Sequence, residues 1–587
     1  MENSERKLLV TTALSKTWGN SERILFLGEW CKKYSKKHTW EFRSFITKSW
    51  HWKDRKKLLT DHDYLADTHE MILKKLIPKL NYIHGVNYSS RYWRILIAPW
   101  LLTYIPIVWD RWESVRLIGK EKILLKTIII KHHISRPIAD DGRSAIDMMS
   151  SNDVWNYLLY CEILNTQKIP TIELIREDVT FEKKTNFPKR KGYRSHYLKS
   201  IAKLFDNIAR KFWISDEYLF LIYKSCFSMG NLFKLSFKIR QVPRIYNEFE
   251  KEFQYGNVQM PMREMVKEDL SHSIFEKFLC KQIFLDMPKA YVEGYKELAL
   301  YCKSLPNSRV IMTAGAHMSN EVFKLWTAKQ LENGSVLIVS EHGGSLPAYT
   351  GLFDHEEKIS DKKITWTTPL SESQIQISPS RLLHFKVKSS NELIVLIGLE
   401  HPRYSYRCQE GVSSSLVLDD FNQKVAFINL LDDASRRFFK VRPYPDQGWS
   451  TRDRYADIYG QGIITANIDK PLIKDYSKAK LIICSYPETT FSEAMISSVP
   501  TILLYTKEYW NFRPSYKDLI DELCYNNIIH SDPVSAAKFV NSIQSDPSKW
   551  WEKESTKIAR ENFFNLCCKI SNDPIKEWAD FLYKIKE

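Results

Sequence analysis

The segment Leu481-Ile-Ile-Cys-Ser-Tyr-Pro-Glu-Thr-Thr-Phe-Ser-Glu-Ala-Met495 has the residue order of a strand, a polar loop and a helix start. The free N–H groups and positive dipole end at such a helix start attract an anion. Ser485, Thr489 and Thr490 bring hydroxyls that could donate to a phosphate, and Glu493, one turn in, could accept from a ribose hydroxyl. The Thr490–Glu493 spacing also fits a capping box, so the pair could do no more than close a helix end.

Four further stretches carry candidate chemistry. His401-Pro402-Arg403 follows an apolar run, with an imidazole and a guanidinium able to engage phosphate or carboxylate. Glu341-His342-Gly343-Gly344 follows another, and its two glycines permit close backbone approach to a ligand. His342, Asp354 and Glu356 are the acid/base candidates on that side, although the acids between 354 and 361 also read as a solvated charge run. Arg442 ends a third apolar run and could bind phosphate, or belong to an ordinary basic loop. From Trp30 to Lys57, Trp30, Trp40, Trp50 and Trp52 alternate with basic residues, a pattern for a membrane interface or base stacking, or for a helical surface with buried rings.

These motifs need rigid elements to hold them. Lys7–Ala13 and Arg23–Gly28 read as strands, and the interval from about 30 to 300 reads as mostly helical insertion. Asp178–Arg194 is charged and expected to be an exposed loop. An α/β rhythm runs from 308 to 367, and the segment 368–379 reads as a linker. A second rhythm occupies 380–545, with strands at 392–398, 438–442, 480–484 and 500–505, and a helical tail fills 546–587. Short apolar strands separated by helices argue for parallel doubly wound sheets, in which ligands sit at the strands' carboxyl ends. The expectation is an α/β protein with a domain at 1–367, the linker, and a nucleotide-binding domain at 380–545.

Composition narrows the functional classes. The chain has 587 residues, 44% of them hydrophobic, which suits several folded cores and not disorder. Lys and Arg exceed Asp and Glu by 16, favouring anionic partners. The ten cysteines form no C-x-x-C pair, which fits free thiols in a reducing cytoplasm. The polar opening Met1–Lys7 does not read as a signal peptide. The apolar run Ile95–Trp109, broken by Pro99 and Pro106, falls short of the ~20 residues of a membrane span and reads as a buried helix or docking surface. No D-x-D stands at a plausible strand end, so no metal and no separate cofactor is expected.

Taken in order, Leu9–Leu14 with Trp18-Gly19, Phe26–Cys31, Arg91–Arg94 with Pro99–Leu101, Glu341–Gly344, Ile359–Asp361, Thr489-Thr490 with Glu493, Ile529-His530 and Trp550-Trp551 resemble a family of transferases of bacterial O-antigen and surface-polysaccharide loci. The resemblance implies a GT-B-like fold of two Rossmann-like domains facing a cleft, with large helical insertions in the N-terminal half. The Glu-His-Gly-Gly and Thr-Thr-x-x-Glu regions are also similar to capsule transferases that use CMP-activated 3-deoxy-octulosonic acid. His401-Pro402 resembles the His-Pro motif of bacterial sialyltransferases. Carried over, Gly343, Gly344, His401, Pro402, Arg403, Arg442, Ser485, Thr489, Thr490 and Glu493 would hold the donor. The family pattern has Gln and a further Gly where this chain has Glu341 and Ser345. The implied reaction moves a sugar from a nucleotide-sugar donor to a glycan or lipid-linked glycan acceptor, with CMP-activated keto-sugar acids among the donors. The implied setting is the cytoplasm, at the periphery of the anionic inner membrane, with no nucleic acid partner. A polyol-phosphate transferase of teichoic-acid type and a non-enzymatic basic binding protein remain the alternatives.

Overall fold

A computed structural model describes residues 6–19, 23–121, 123–179, 217–241, 243–244, 246–265 and 273–586. Its described strands form three five-stranded sheets, each wholly parallel. In chain order they are β1 Lys7–Val10, β2 Arg23–Phe26, β3 Ser44–Thr47, β4 Leu125–Ile130 and β5 Ile172–Glu177, then β6 Glu217–Ile222, β7 Asn307–Thr313, β8 Val336–Ser340, β9 Lys362–Thr365 and β10 Gln374–Gln376. The third set is β11 Leu393–Ile397, β12 Phe439–Arg442, β13 Ala479–Cys484, β14 Thr501–Leu504 and β15 Ile529–His530.

The sheet orders are β3-β2-β1-β4-β5, β10-β9-β8-β7-β6 and β12-β11-β13-β14-β15. In the third sheet the chain starts at β11, places β12 on one side, then crosses to β13 on the other. That reversal is a topological switch point, and loops leaving adjacent strands diverge there to leave room for a ligand. His401 follows β11 and Thr489 follows β13, so the two strongest sequence motifs flank the switch point. The strands end level, with Ile397 registered against both Cys484 and Arg442.

The central strands β8, β11, β13 and β14 are covered on both faces, which explains their unbroken apolar runs. In the second sheet Ile311, Leu337 and Val339 join one large core, whereas Val310, Met312 and Ile338 join a smaller one on the opposite face. Successive side chains of a strand point to opposite faces, so each run feeds two cores. The smaller core is closed by the last helix, Pro574–Lys586, through Trp578 and Leu582. The tail thus returns to the second sheet, where Trp578 donates its indole N–H to Ser378 O at 2.8 Å.

The interval 30–300 is less purely helical than expected. It contains β3, β4, β5 and β6 together with two 30-residue helices, Arg55–His84 and Ser90–Gly119. Short apolar runs such as Lys126–Ile130 suit a strand or a buried helical turn equally, and pairing with β1 and β5 decides for the strand. The segment 368–379 is likewise more than a linker, since β10 pairs with β9. The expected exposed loop from Asp178 to Arg194 lies, from residue 180 onward, outside the described residues.

Asp54 starts the first long helix by accepting from the N–H groups of Lys56 and Lys57 at 3.0 and 3.2 Å, and Gly85 ends it in left-handed backbone. The second is long and apolar enough to cross a bilayer, yet 89% of its apolar window is buried within the protein. Trp30, Trp50 and Trp52 are buried too. Those three rings belong to the core and are closed to lipid or bases, whereas Trp40 is half-buried.

Candidate active site

The carboxyl ends of the second and third sheets meet. After β8, Glu341 turns back to β9, accepting from Trp366 N at 2.8 Å and from Thr365 Oγ1 at 3.2 Å. This fixes the turn Glu341–Gly344 and presents His342, whose side chain stands exposed. Gly344 O accepts from Ser492 Oγ at 2.9 Å. A Cβ at Gly343 would overlap Thr489 Oγ1 and stand 3.2 Å from both Thr489 Cβ and Cγ2. Glycine is therefore required at 343 by close packing against the helix Thr489–Ile496, not by its own torsion angles.

That helix is built differently from the expected capping box. Its N-cap is Glu488, whose side chain makes no capping bond. Thr490 lies one position inside the helix and shares a hydrogen bond with the Tyr486 hydroxyl. Glu493 binds Arg381 Nε at 2.6 Å, reaching a residue 112 positions away instead of the helix start. The first-turn N–H groups are thus left without a side-chain cap, the arrangement that favours an anionic ligand. Ser485, just after β13, is buried and its hydroxyl has no partner.

On the same sheet, the loop after β11 brings up His401, Tyr406 and Arg407. Arg407 was not singled out by sequence reasoning, because a lone arginine in Tyr-Ser-Tyr-Arg-Cys carries no spacing signal. Its guanidinium lies over the Tyr406 ring at 4.9 Å and makes no hydrogen bond or ion pair among the described residues. Its Nε is shielded from solvent and unbonded. Burial pushes the His401 imidazole down to about 4, and the Arg407 charge adds to this. His342 is also lowered, first by desolvation and then by the charges of His317, Arg407 and Arg381, against an opposing pull from Glu356. Glu488 is raised by burial, with Arg407 opposing.

Glu356 is paired with His317 and Lys363. Burial would raise its carboxyl, but the His317 hydrogen bond at 3.2 Å and the Lys363 ammonium at 3.4 Å hold it well below the ordinary range. It is a committed carboxylate. Asp354 is exposed, in left-handed backbone at φ 54°, and caps nothing. Of the three acid/base candidates, His342 alone is both open and poised neutral.

Two expected donor ligands are spent elsewhere. Arg403 is buried, donates to Trp30 O and pairs with Asp153 at 2.6 Å, and so ties the third sheet to the first. Arg442 donates to Asn467 O at 2.8 Å, Ile468 O at 3.3 Å and Lys470 O at 2.6 Å, and pairs with Asp475. Neither guanidinium is left for a phosphate. Pro402 sets the backbone between His401 and Arg403, and the His401 carbonyl accepts from Trp449 Nε1 at 3.0 Å. Glu400 anchors the facing loop, accepting from Gln447 N at 2.7 Å, Trp449 N at 3.0 Å and Thr451 Oγ1 at 2.6 Å. Among the described residues no group of three or more His, Cys, Asp or Glu side chains is placed to hold a metal ion.

A surface hollow of about 230 Å³, lined by Phe512, Arg513, Pro514, Lys517, Ile520 and Asp521, lies along the neighbouring contact where Arg513 N donates to Pro347 O. Its Lys517 and Asp521 pair with each other, so it offers no unspent charged pair for chemistry.

Comparison with known proteins adds the family. The model of the LIC12162 family transferases matches residues 7–582, nearly the whole chain, and the chain belongs to that family. No curated protein matches it. Two solved structures of the wall teichoic acid polymerase TagF, one of them a variant soaked with CDPG, are similar at 10% identity. Each alignment covers 50% of this chain and 84% of the other, with TM-scores of 0.27 and 0.26, a likeness too slight to carry over any residue or activity.

Proposed function

We propose that this LIC12162 family transferase is a glycosyltransferase that moves a sugar from a nucleotide-sugar donor to a hydroxyl of a surface-glycan acceptor. One observation carries the reading: the His342 turn and the Thr489 helix start, from different sheets, are packed together at the switch point of the third sheet. A transferase of this kind needs a base for the acceptor hydroxyl beside a site that stabilises a departing phosphate.

His342, held neutral by its surroundings, takes the acceptor proton as the hydroxyl attacks the sugar. The departing phosphate gathers negative charge at the first-turn N–H groups of Thr489 and Thr490 and the Ser485 hydroxyl, all preset by the fold. A CMP-linked keto-sugar acid remains the donor suggested by the Glu-His-Gly-Gly and His-Pro motifs, and a glycan on a lipid carrier the acceptor. Ten free thiols favour a cytoplasmic setting, peripheral to the inner membrane.

The test is a thermal-shift screen against CMP, CDP, UDP, GDP and their sugar conjugates. A ligand at 100 times its Kd stabilises by about 2.7 kcal/mol, so the cognate nucleotide should raise Tm by several degrees. The reading fails if none does at millimolar concentration.

A further inference from the structure

We infer that Arg407 is the guanidinium that grips the phosphate of the bound ligand. The inference rests on the proposed donor site and names the group within it that holds the charge.

A buried or half-buried arginine ordinarily finds a carboxylate or carbonyl partner, because its five donors are costly to leave unmet. In this chain Arg55, Arg111, Arg136, Arg263, Arg381, Arg403 and Arg442 all follow that rule. Arg407 departs from it: half-buried, over the Tyr406 ring at 4.9 Å, its Nε sealed from solvent and unbonded. Arg560, over Trp551 at 4.3 Å on the helix Glu554–Cys567, is left likewise, so it is its place on the loop after β11 that singles Arg407 out. The Tyr406 ring face, 4.9 Å from the guanidinium carbon, limits where the fork can go, and a guanidinium so held can meet a phosphate at two points.

The neighbours match a ligand of negative charge. Tyr406, the ring under the Arg407 guanidinium, stands 6.2 Å from the His401 ring, and the Arg407 charge acts on both His401 and His342. Neutral imidazoles accept or donate single hydrogen bonds without neutralising an anion between them. Glu488 also lies within the reach of that charge, but it forms no ion pair with Arg407. The uncapped start of the helix Thr489–Ile496 and the unpartnered buried hydroxyl of Ser485 belong to the same strand-end cluster. Cation, helix start and hydroxyl together make a site for a phosphate or diphosphate group, whether carried by a nucleotide or free.

Isothermal titration of the full chain with CMP, CDP, inorganic pyrophosphate and cytidine tests this, using wild type, Arg407→Ala and Arg407→Lys. Phosphate-bearing probes should bind Arg407→Ala at least tenfold more weakly and Arg407→Lys severalfold more weakly. Cytidine should bind all three alike. Nucleotide affinities within twofold of wild type in Arg407→Ala would overturn the inference and leave the transferase reading standing. Arg407-dependent binding of pyrophosphate with no nucleotide binding would uphold the anchor and remove the nucleotide donor. No binding of any probe to wild type would remove both. Should Arg407→Ala not fold, phenylglyoxal footprinting of wild type decides. Saturating CDP or pyrophosphate must slow modification of Arg407 at least fivefold, and unchanged labelling would overturn the inference.

Discussion

Gly343 and Thr489 occupy one space: the threonine side chain of the third sheet fills the position where a side chain on the second sheet's turn would begin. Gly343→Ala should therefore push the two strand-end loops apart. Overpacking of this kind costs about 1–3 kcal/mol, and transfer should fall by more than tenfold because the base and the anion site lose register. Adding Thr489→Ala should restore Tm while leaving activity low. Paired melting and turnover measurements check this, and a fully active Gly343→Ala enzyme would show that the contact positions nothing.

His342→Gln should lower kcat by about 10²–10⁴, the usual worth of a general base, with KM little changed. Because the folded imidazole is lowered mainly by desolvation, the acid limb of wild-type kcat/KM should fall with an apparent pKa below 6.5. A pH–rate profile reads both, and a limb above 6.5 would contradict the assignment.

Arg381 and Glu493 should respond unequally. The Arg381 side chain is 41% exposed and Glu493 only 3%. Removing the carboxylate leaves a guanidinium that water can reach, so Glu493→Gln should cost about 1 kcal/mol. Removing the guanidinium strands a buried carboxylate, so Arg381→Ala should cost about 3 kcal/mol. Urea unfolding of both variants measures the difference, and equal costs would argue against the pairing.

Arg403→Ala should destabilise by about 2–3 kcal/mol, since it takes one of two cations from buried Asp153, Lys33 at 2.5 Å being the other, and leaves Trp30 O without its donor. Its nucleotide affinity, measured on the folded fraction, should stay within twofold of wild type. A tenfold loss with unchanged stability would return Arg403 to the donor site.

Adjacent residues Glu400 and His401 should move stability in opposite directions with pH. His401 is held near 4 in the fold against 6.5 unfolded, so its unfolded form binds protons first. Its contribution is complete above 6.5 and lost as pH falls towards 4. Burial raises Glu400 to about 7 from 4.5, with the Thr451, Gln447 and Trp449 hydrogen bonds opposing. The folded form keeps that proton, so its contribution is complete below 4.5 and lost as pH rises through 7. The two changes share one window, about pH 4 to 7, with opposite slopes, so His401→Gln should make stability there fall with rising pH and Glu400→Gln should make it rise, each by about 2–3 kcal/mol. Curves unchanged by either substitution would remove these assignments.

Local pattern made part of this molecule legible. The strand–loop–helix at Leu481–Met495, the turn at Glu341–Gly344 and the His-Pro after β11 are each written within a dozen residues. Apolar runs ending in polar turns are the direct imprint of strands buried on both faces. β3, β4, β5 and β6 lie inside an interval that reads as helical, because runs of four to six residues flanked by long helices acquire their strand identity from neighbours in the sheet.

Partner choice was not legible. Thr490 and Glu493 have capping-box spacing, yet Glu493 turns to Arg381, and the helix start is left open. Arg403 and Arg442 stand at strand ends as phosphate ligands should, but Asp153 and Asp475 claim them. Arg407 has no motif at all and is left with an unmet donor over the Tyr406 ring. Sequence alone determined where the strand ends, glycines and titratable groups lie, because hydrogen bonds and periodicities within a few residues depend on spacing. Only the tertiary structure decided which charges are satisfied and which remain for a ligand, because that depends on contacts between residues a hundred or more positions apart.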